Sequence, residues 1–433
     1  MRKTRLLSLA LAVLMTVVLF AGCQSSSPSS NPTDDGPGTD PVTLRWALWD
    51  LDKTVYYQPL VDAYRVNNPN VTIELVDLGS TDFMTVLSTQ LSGNADFDIL
   101  TIKDIPGYAN LVKQGHLEPL GDYISSANID TSLYGGTVEQ ISVDSKVYAL
   151  PFRSDFWVVF YNKDLFDAAG VDYPTNDMTL DQYSALAAQV TTGTGNDKVY
   201  GNHYHTWRSA VQLFSILDGQ NTIVDGSYDF LKPYYERVLN DQNTGVCQDY
   251  ATLKTSSIHY SDAFFNNQIA MMNMGSWFIA TQIAKVEAGE AESVNWGMVK
   301  YPHPDGVEAG TTLGTITALG VNAKSSKKAA ALDFMKFVTG PDGAAAIAAT
   351  GTIPAIKNDA VIASITGIKG FPTDENSKDA LKTFKTYLEM PMHDKSADIE
   401  VILNEEHDSI MTGNKSIDDA IAAMNTRVGE LLK

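Results

Sequence analysis

Cysteine is almost absent, with Cys23 and Cys247 the only two in 433 residues. A disulfide framework is therefore excluded, and a body this large does not need one. Histidine is scarce too, at seven, and no His-Glu-x-x-His occurs. His203 and His205 sit two apart, but a metal site needs third and fourth ligands at suitable spacing. No twelve-residue calcium loop surrounds Asp96 and Asp98. We expect no metal and no cofactor. No Gly-x-Gly-x-x-Gly or Walker sequence follows a strand, which argues against a nucleotide site. Gly-x-Ser-x-Gly is missing, so there is no nucleophile elbow. Bases are outnumbered 31 to 52, for a net charge of −21. That balance argues against a nucleic-acid partner and leaves neutral ligands unaffected. No repeat of solenoid length is present.

What is there describes an ordinary globular protein, 44% hydrophobic and 19% charged. The length exceeds that at which a single core normally stops growing, so two lobes are expected. Arg2, Lys3 and Arg5 precede a largely apolar stretch from Leu6 to Phe20, a secretory pattern too short for a stable membrane span. It ends in Leu19-Phe20-Ala21-Gly22-Cys23, which resembles the lipobox of bacterial lipoproteins. That resemblance implies a signal peptide over 1–22 and a diacylglycerol on the Cys23 thiol. Cleavage there removes three bases and no acid, taking the charge from −21 to −24. Residues 23–41, rich in Ser, Pro, Asp, Gly and Thr, read as a disordered tether. With Cys23 lipidated, Cys247 has no partner and reads as a structural bystander.

The body opens with strands over Val42–Trp49, Val71–Val76 and Asp98–Ile102, separated by helical segments Lys53–Arg65 and Thr81–Leu91. Strand and helix alternating at this spacing predict a parallel α/β sheet with right-handed crossovers. Ligands in such sheets sit beyond the carboxyl ends of the strands. The candidate loops are then Trp49-Asp50, Ser80-Thr81-Asp82 and Lys103-Asp104.

The stretch from Lys146 to Gly170 changes character twice. Lys146–Leu150 reads as a short strand and Pro151–Asp155 as a polar break, since Pro151 cannot donate to a ladder. Phe156–Tyr161 is a run suited to a strand buried on both faces. Asn162 then opens a helix that Gly170 stops. The break reads either as a sheet corner or as a crossover between lobes, with Arg153 and Asp155 facing what lies between. Farther on, Thr179 and Gln182 form a capping box. Gln268–Phe278 reads as a strand entering a Gly275-Ser276 turn and a helix. Gly310–Thr315 reads as flexible and Ile316–Val321 as a strand. Residues beyond Asp342 read as mainly helical.

The aromatics suggest binding. Trp49, Trp207 and Trp277 fall at turns or element ends, whereas Trp46, Trp157 and Trp296 fall inside strands and read as core. A sugar presents a flat C–H face and a rim of hydroxyls, so its sites pair aromatic planes with polar side chains. Singly, each tryptophan is as well explained as a half-buried core residue. Their recurrence beside Asp50, Arg153, Asp155, His205 and Gly275-Ser276 favours a binding site. A glycosidase would need two carboxylates about 5 to 9 Å apart, and no motif marks such a pair.

Several pieces, in order, resemble the bacterial extracellular solute-binding proteins of the maltose-binding type. They are Trp46-Ala47-Leu48-Trp49, Asp98-Ile99-Leu100, Gly115-x-Leu117-x-Pro119-Leu120 and Tyr148-Ala149-Leu150-Pro151-Phe152. Tyr161-Asn162-Lys163-Asp164-Leu165-Phe166 and Ala270-Met271-Met272-x-Met274-Gly275-Ser276-Trp277 follow. Phe334-Met335-Lys336-Phe337-Val338 and Gly351-Thr352-Ile353-Pro354 close the series.

The resemblance implies a two-lobed α/β fold of the periplasmic-binding-protein type (type II), with a hinge and a ligand cleft between lobes. The lobes would be 42–151 with 312–340, and 152–311 with 341–433. It implies a lipid-anchored, outward-facing monomer that binds a carbohydrate, and an oligosaccharide given the number of aromatics. The ligand would be delivered to the permease of an ABC importer without being turned over. Trp49, Asp50, Asp82 and Asp104 would serve one wall. Arg153, Asp155, His205, Trp207, Gly275 and Trp277 would serve the other, with Trp277 as stacking platform. The alternatives are a secreted glycan-active enzyme, or a like-fold receptor for a peptide or polyamine.

Overall fold

The structure, a computed structural model, describes residues 41–383 and 385–433. The expected signal peptide, the expected lipidation site Cys23 and the expected tether up to residue 40 lie outside the described residues. Alternation in Val42–Leu48 (β1) sends Leu44, Trp46 and Leu48 into one core and Ala47 into another. β1 pairs in parallel with Val71–Asp77 (β2) and Ile99–Ile102 (β3), as the alternating pattern required. Helices Tyr57–Asn67 and Phe83–Ser92 make the connections. Trp46, Trp157 and Trp296 are all buried.

Leu150–Asn162 (β4) corrects the expectation of two strands around a polar break: it is one strand of 13 residues. Its ladder shifts register between Pro151 and Arg153, a bulge that absorbs the missing proline donor. From Leu150 to Phe156 it pairs antiparallel with Thr311–Val321 (β8). From Trp157 onward it lies between Ile269–Gly275 (β6) and Trp296–Lys300 (β7), antiparallel to both. Tyr200–His203 (β5) pairs in parallel with β6, and Lys385–Leu388 (β9) with β8.

β8 brings a second correction, because Gly310–Thr315 is not a flexible lead-in: the strand begins at Thr311. Gly314 is needed there. A Cβ would come within 2.4 Å of Thr386 Cγ2 and 3.1 Å of the Asp155 carbonyl. A glycine lets three strands approach at that point.

Among the described residues the sheet order is β2-β1-β3-β8-β4-β6-β5. Two cores flank β1–β3, and two flank the second half of β4, where Phe156, Val158 and Phe160 face one and Trp157, Val159 and Tyr161 the other. The long C-terminal helices Ser396–Met411 and Ile417–Leu431 join the Trp157 core through Leu403 and Met424. The helix Pro341–Ala348 instead places Ala344 and Ile347 in the Leu44 core.

Local signals read from sequence recur in the structure. Thr179 Oγ1 accepts from the Gln182 N–H at 3.3 Å, and Gln182 Oε1 accepts from the Thr179 N–H at 2.8 Å. Asn162 caps Lys163–Ala169, which ends at Gly170 with φ of 66°. Cys247 is buried and free. Among the described residues no helix is long and apolar enough to cross a membrane.

Candidate functional site

A cavity of about 610 Å³ lies beyond the carboxyl ends of β2 and β3, with the Gly314–Ile316 segment of β8 among its linings. One wall comes from the loops after β2 and β3, including Asp82, Lys103 and Asp104. The other comes from Trp207, Arg208, Glu389 and the helix Ser396–Met411, through Glu400 and Asn404.

On the first wall, Asp50 and Asp82 hold left-handed backbone, with φ of 49° and 53°. Aspartate tolerates that region better than most residues, and such positions cluster where chains bind ligands. Trp49 leans on Phe83, ring centroids 5.1 Å apart, and Lys103 Nζ lies 5.4 Å from a Trp49 ring centroid. Lys103 also donates to the Ser80 carbonyl at 2.7 Å. Burial lowers the Lys103 pKa, while Asp104, Asp50 and Asp82 oppose that shift. Asp104 caps the helix Ile105–Lys113, accepting from Gly107 N–H at 2.7 Å. Protein walls around the cavity push the Asp104 carboxyl up, and Glu400 on the opposite wall adds to this.

The second wall is aromatic at one side. Trp207 is 38% exposed. It meets His205 edge-on at 4.5 Å, Tyr260 at 5.5 Å and Trp277 at 6.2 Å. Burial drives the His205 pKa down to about 3 and the His203 pKa to about 4, so both rings are neutral supports. Among the described residues no group of three or more His, Cys, Asp or Glu is placed to hold a metal. Gly275 is required because a Cβ would stand 2.0 Å from Trp277 Cζ3: the indole lies on the bare backbone. Ser276, fully buried, ties this turn to β4 through Oγ, which donates to Asp155 Oδ1 at 2.8 Å.

Arg153 and Asp155 sit where β4 passes from one pair of cores to the other, and they face each other. Arg153 Nη2 donates to Asp155 Oδ2 at 2.5 Å, and Nη1 donates to Tyr56 Oη at 2.7 Å. At 8% and 1% exposed, the pair is buried and largely engaged by protein. Its geometry is that of a clasp joining the Tyr56 side to the Ser276 turn.

The structure thus brings Asp82, Asp104 and Trp207 into the cavity lining, with Trp49, Asp50, His205, Gly275 and Trp277 behind or beside them. Sequence reasoning missed Lys103, Arg208, Tyr260, Glu389 and Glu400. Lys103 lay in a flagged loop. The others stand in segments with no motif; the fold puts Arg208, Glu389 and Glu400 in the lining and Tyr260 beside it, against Trp207. Asp50 acts electrostatically on His259 and Tyr260, which pack against His205 beside the second wall.

A family model for bacterial extracellular solute-binding proteins matches residues 50–345. A crystallised sugar transporter from Rhizobium etli, in an open conformation, is 55% identical and superposes with a TM-score of 0.79, covering 89% of this chain and 99% of its own. An ABC substrate-binding protein from Listeria monocytogenes, in complex with cycloalternan, is 20% identical. It superposes with a TM-score of 0.77 over 91% of this chain and 99% of its own. The sn-glycerol-3-phosphate-binding periplasmic protein of Pectobacterium atrosepticum is 24% identical, covering 100% of this chain and 97% of the relative.

Proposed function

This chain belongs to the bacterial extracellular solute-binding proteins, and on that premise we propose that it binds a carbohydrate between two lobes and delivers it to an ABC importer. The observation that carries the reading is the convergence of Trp207, Tyr260 and Trp277 beside a cavity otherwise lined by carboxylates, Lys103 and Arg208. Aromatic planes match the C–H face of a pyranose, and the polar lining matches its hydroxyls. The sugar transporter from Rhizobium etli, at 55% identity, supports the same ligand class. An oligosaccharide fits the breadth of the aromatic side.

We take the lobes as 42–151 with 312–340, and 152–311 with 341–433, except that the helix Pro341–Ala348, whose Ala344 and Ile347 pack into the Leu44 core, goes with the first lobe; the two move about β4 and β8. Trp49, Asp50, Asp82, Asp104, Trp207 and Trp277 contact the ligand. Arg153, Asp155, His205 and Gly275 hold the walls in place. Closure requires a ligand that binds the closed state better, and moving from 1:99 to 99:1 takes about 10⁴-fold differential affinity. Contacts from both walls supply that difference. The protein acts as a monomeric receptor and does not transform its ligand. A lipid on Cys23 anchors it outside the cell membrane, within reach of the permease.

Tryptophan fluorescence and melting temperature, followed across mono- and oligosaccharides, test this reading. A saturable change with one glycan class, a raised melting temperature and no product are expected. Trp277→Ala should weaken binding by roughly 2 kcal/mol, the scale of an interface anchor. Release of a cleaved sugar would instead identify an enzyme.

A further inference from the structure

The cavity's charged lining is four acids, Asp82, Asp104, Glu389 and Glu400, against two bases, Lys103 and Arg208. Both bases are already engaged. Arg208, 4% exposed, donates from Nε to Glu400 Oε1 at 2.9 Å and from Nη2 to Glu400 Oε2. Its Nη1 donates to Gln212 Oε1 at 3.3 Å. Lys103 is held on the Ser80 carbonyl among Asp50, Asp82 and Asp104. A phosphate or carboxylate entering here meets Asp82 and Glu400 and finds no free guanidinium fork.

Glu389 is placed differently. It follows β9, and its N–H donates to the Gly314 carbonyl at 3.1 Å, so its backbone is fixed to β8. Its Oε1 accepts from Trp157 Nε1, while Oε2 takes no hydrogen bond from the described residues and the side chain lines the cavity. We propose that Glu389 is a specificity-determining residue that hydrogen-bonds a hydroxyl of an uncharged sugar, in a cavity whose Asp82 and Glu400 and lack of a free guanidinium fork disfavour sugars bearing phosphate or carboxylate. This rests on the carbohydrate reading above and narrows it.

The groups facing Glu389 are Trp157 and Asp155 on β4, Arg208 after β5, and Glu400 on the helix Ser396–Met411, with Asp104 opposite Glu400. Burial raises the Glu389 pKa to about 7, Glu400 and Asp155 add to it, and Trp157 and Arg208 oppose it. A protonated carboxyl both donates to and accepts from a hydroxyl. Closing the cleft over an ionised one beside Glu400 is costly. Affinity therefore falls as pH rises through about 7.

Calorimetric titration of the protein at pH 6 and 8 tests this with four probes: a glucose-based oligosaccharide, a mannose-based one, a uronic-acid oligosaccharide and sn-glycerol 3-phosphate. Binding of neutral probes alone is expected, at least threefold weaker at pH 8. Glu389→Gln should abolish that pH dependence while keeping the Trp157 bond, and Glu389→Ala should weaken binding at least tenfold at pH 6. Equal or tighter binding of an anionic probe overturns the inference while the carbohydrate reading stands. So does an unchanged affinity in Glu389→Ala. Silence toward every probe, neutral and anionic, overturns the carbohydrate reading and this inference with it.

Discussion

The two sides of the cavity do different work because they are built from different forces. On the aromatic side, Trp207, Tyr260 and Trp277 meet one another edge-on or tilted, over neutral histidines. A ring face covered by a ligand is worth about 25 cal/mol per Å² of apolar surface removed from water, and salt does not screen it. On the charged side, Arg208, Glu400, Asp104, Lys103 and Glu389 largely satisfy or oppose one another. A hydrogen bond exchanged there nets only about 0.5–1.5 kcal/mol, but a mismatched charge or an unmet polar group costs more. On the proposed reading, affinity comes chiefly from the aromatic side and selectivity from the charged one.

The strongest way to break this division is at the buried Arg153–Asp155 clasp. Asp155→Ala strands the Arg153 guanidinium and removes the acceptor of Ser276 Oγ. We expect a loss of about 3–5 kcal/mol in urea unfolding. A loss below about 1 kcal/mol would show that the clasp does not hold the crossover. The next largest effect isolates the aromatic side. In Gly275→Ala the new methyl occupies the space of the Trp277 indole. The ring must move, and the near-UV circular dichroism should change with it. Ligand affinity should drop at least tenfold, about 1.4 kcal/mol. An unchanged Kd with a displaced ring would remove Trp277 as the platform. A third variant, Thr179→Ala, deletes a helix cap in the second lobe remote from both sides. It should lower stability by about 1 kcal/mol and leave Kd alone. A shift in Kd there would mean that lobe stability feeds into binding.

The two sides also differ in how far they could be read from the chain. Trp207 and Trp277 announce themselves because each stands at an element end beside polar neighbours, a pattern that local sequence carries. The helices around Asn162 and Thr179 were legible for the same reason: a cap is a contact over three or four residues. β4 was misread because Arg153 and Asp155 look like a break until their buried partner and the β8 ladder are seen. The charged side was invisible. Glu389 meets Trp157, 232 residues away, and Arg208 meets Glu400, 192 residues away. No spacing rule links such pairs. The overall fold was legible through the βαβ spacing of β1–β3. The strand order that joins β3 to β8 and β8 to β4 was not, because it depends on which distant edges pair.

The smallest effect expected follows from the signs with which the two sides titrate in the unliganded protein. Glu389 binds its proton more tightly when folded, near 7 against an ordinary 4.5. The folded state therefore gains full stability from it below 4.5 and loses that gain as pH rises through 7. His203 and His205 act in reverse. Their folded values, about 4 and about 3, lie below the ordinary 6.5, so the unfolded chain takes up protons first and stability falls as pH drops below 6.5. The charged side thus favours acid and the aromatic side opposes it, and between pH 5 and 6.5 Glu389 offsets part of the slope set by His203, His205 and the likewise buried His407. Glu389→Gln uncouples them. Its melting temperature should climb more steeply than the parent's from pH 5 to 7 and run parallel to it above 8. Parallel curves throughout would mean that the Glu389 carboxyl is solvated in the open cleft, and that the two sides differ only once a ligand has closed over them.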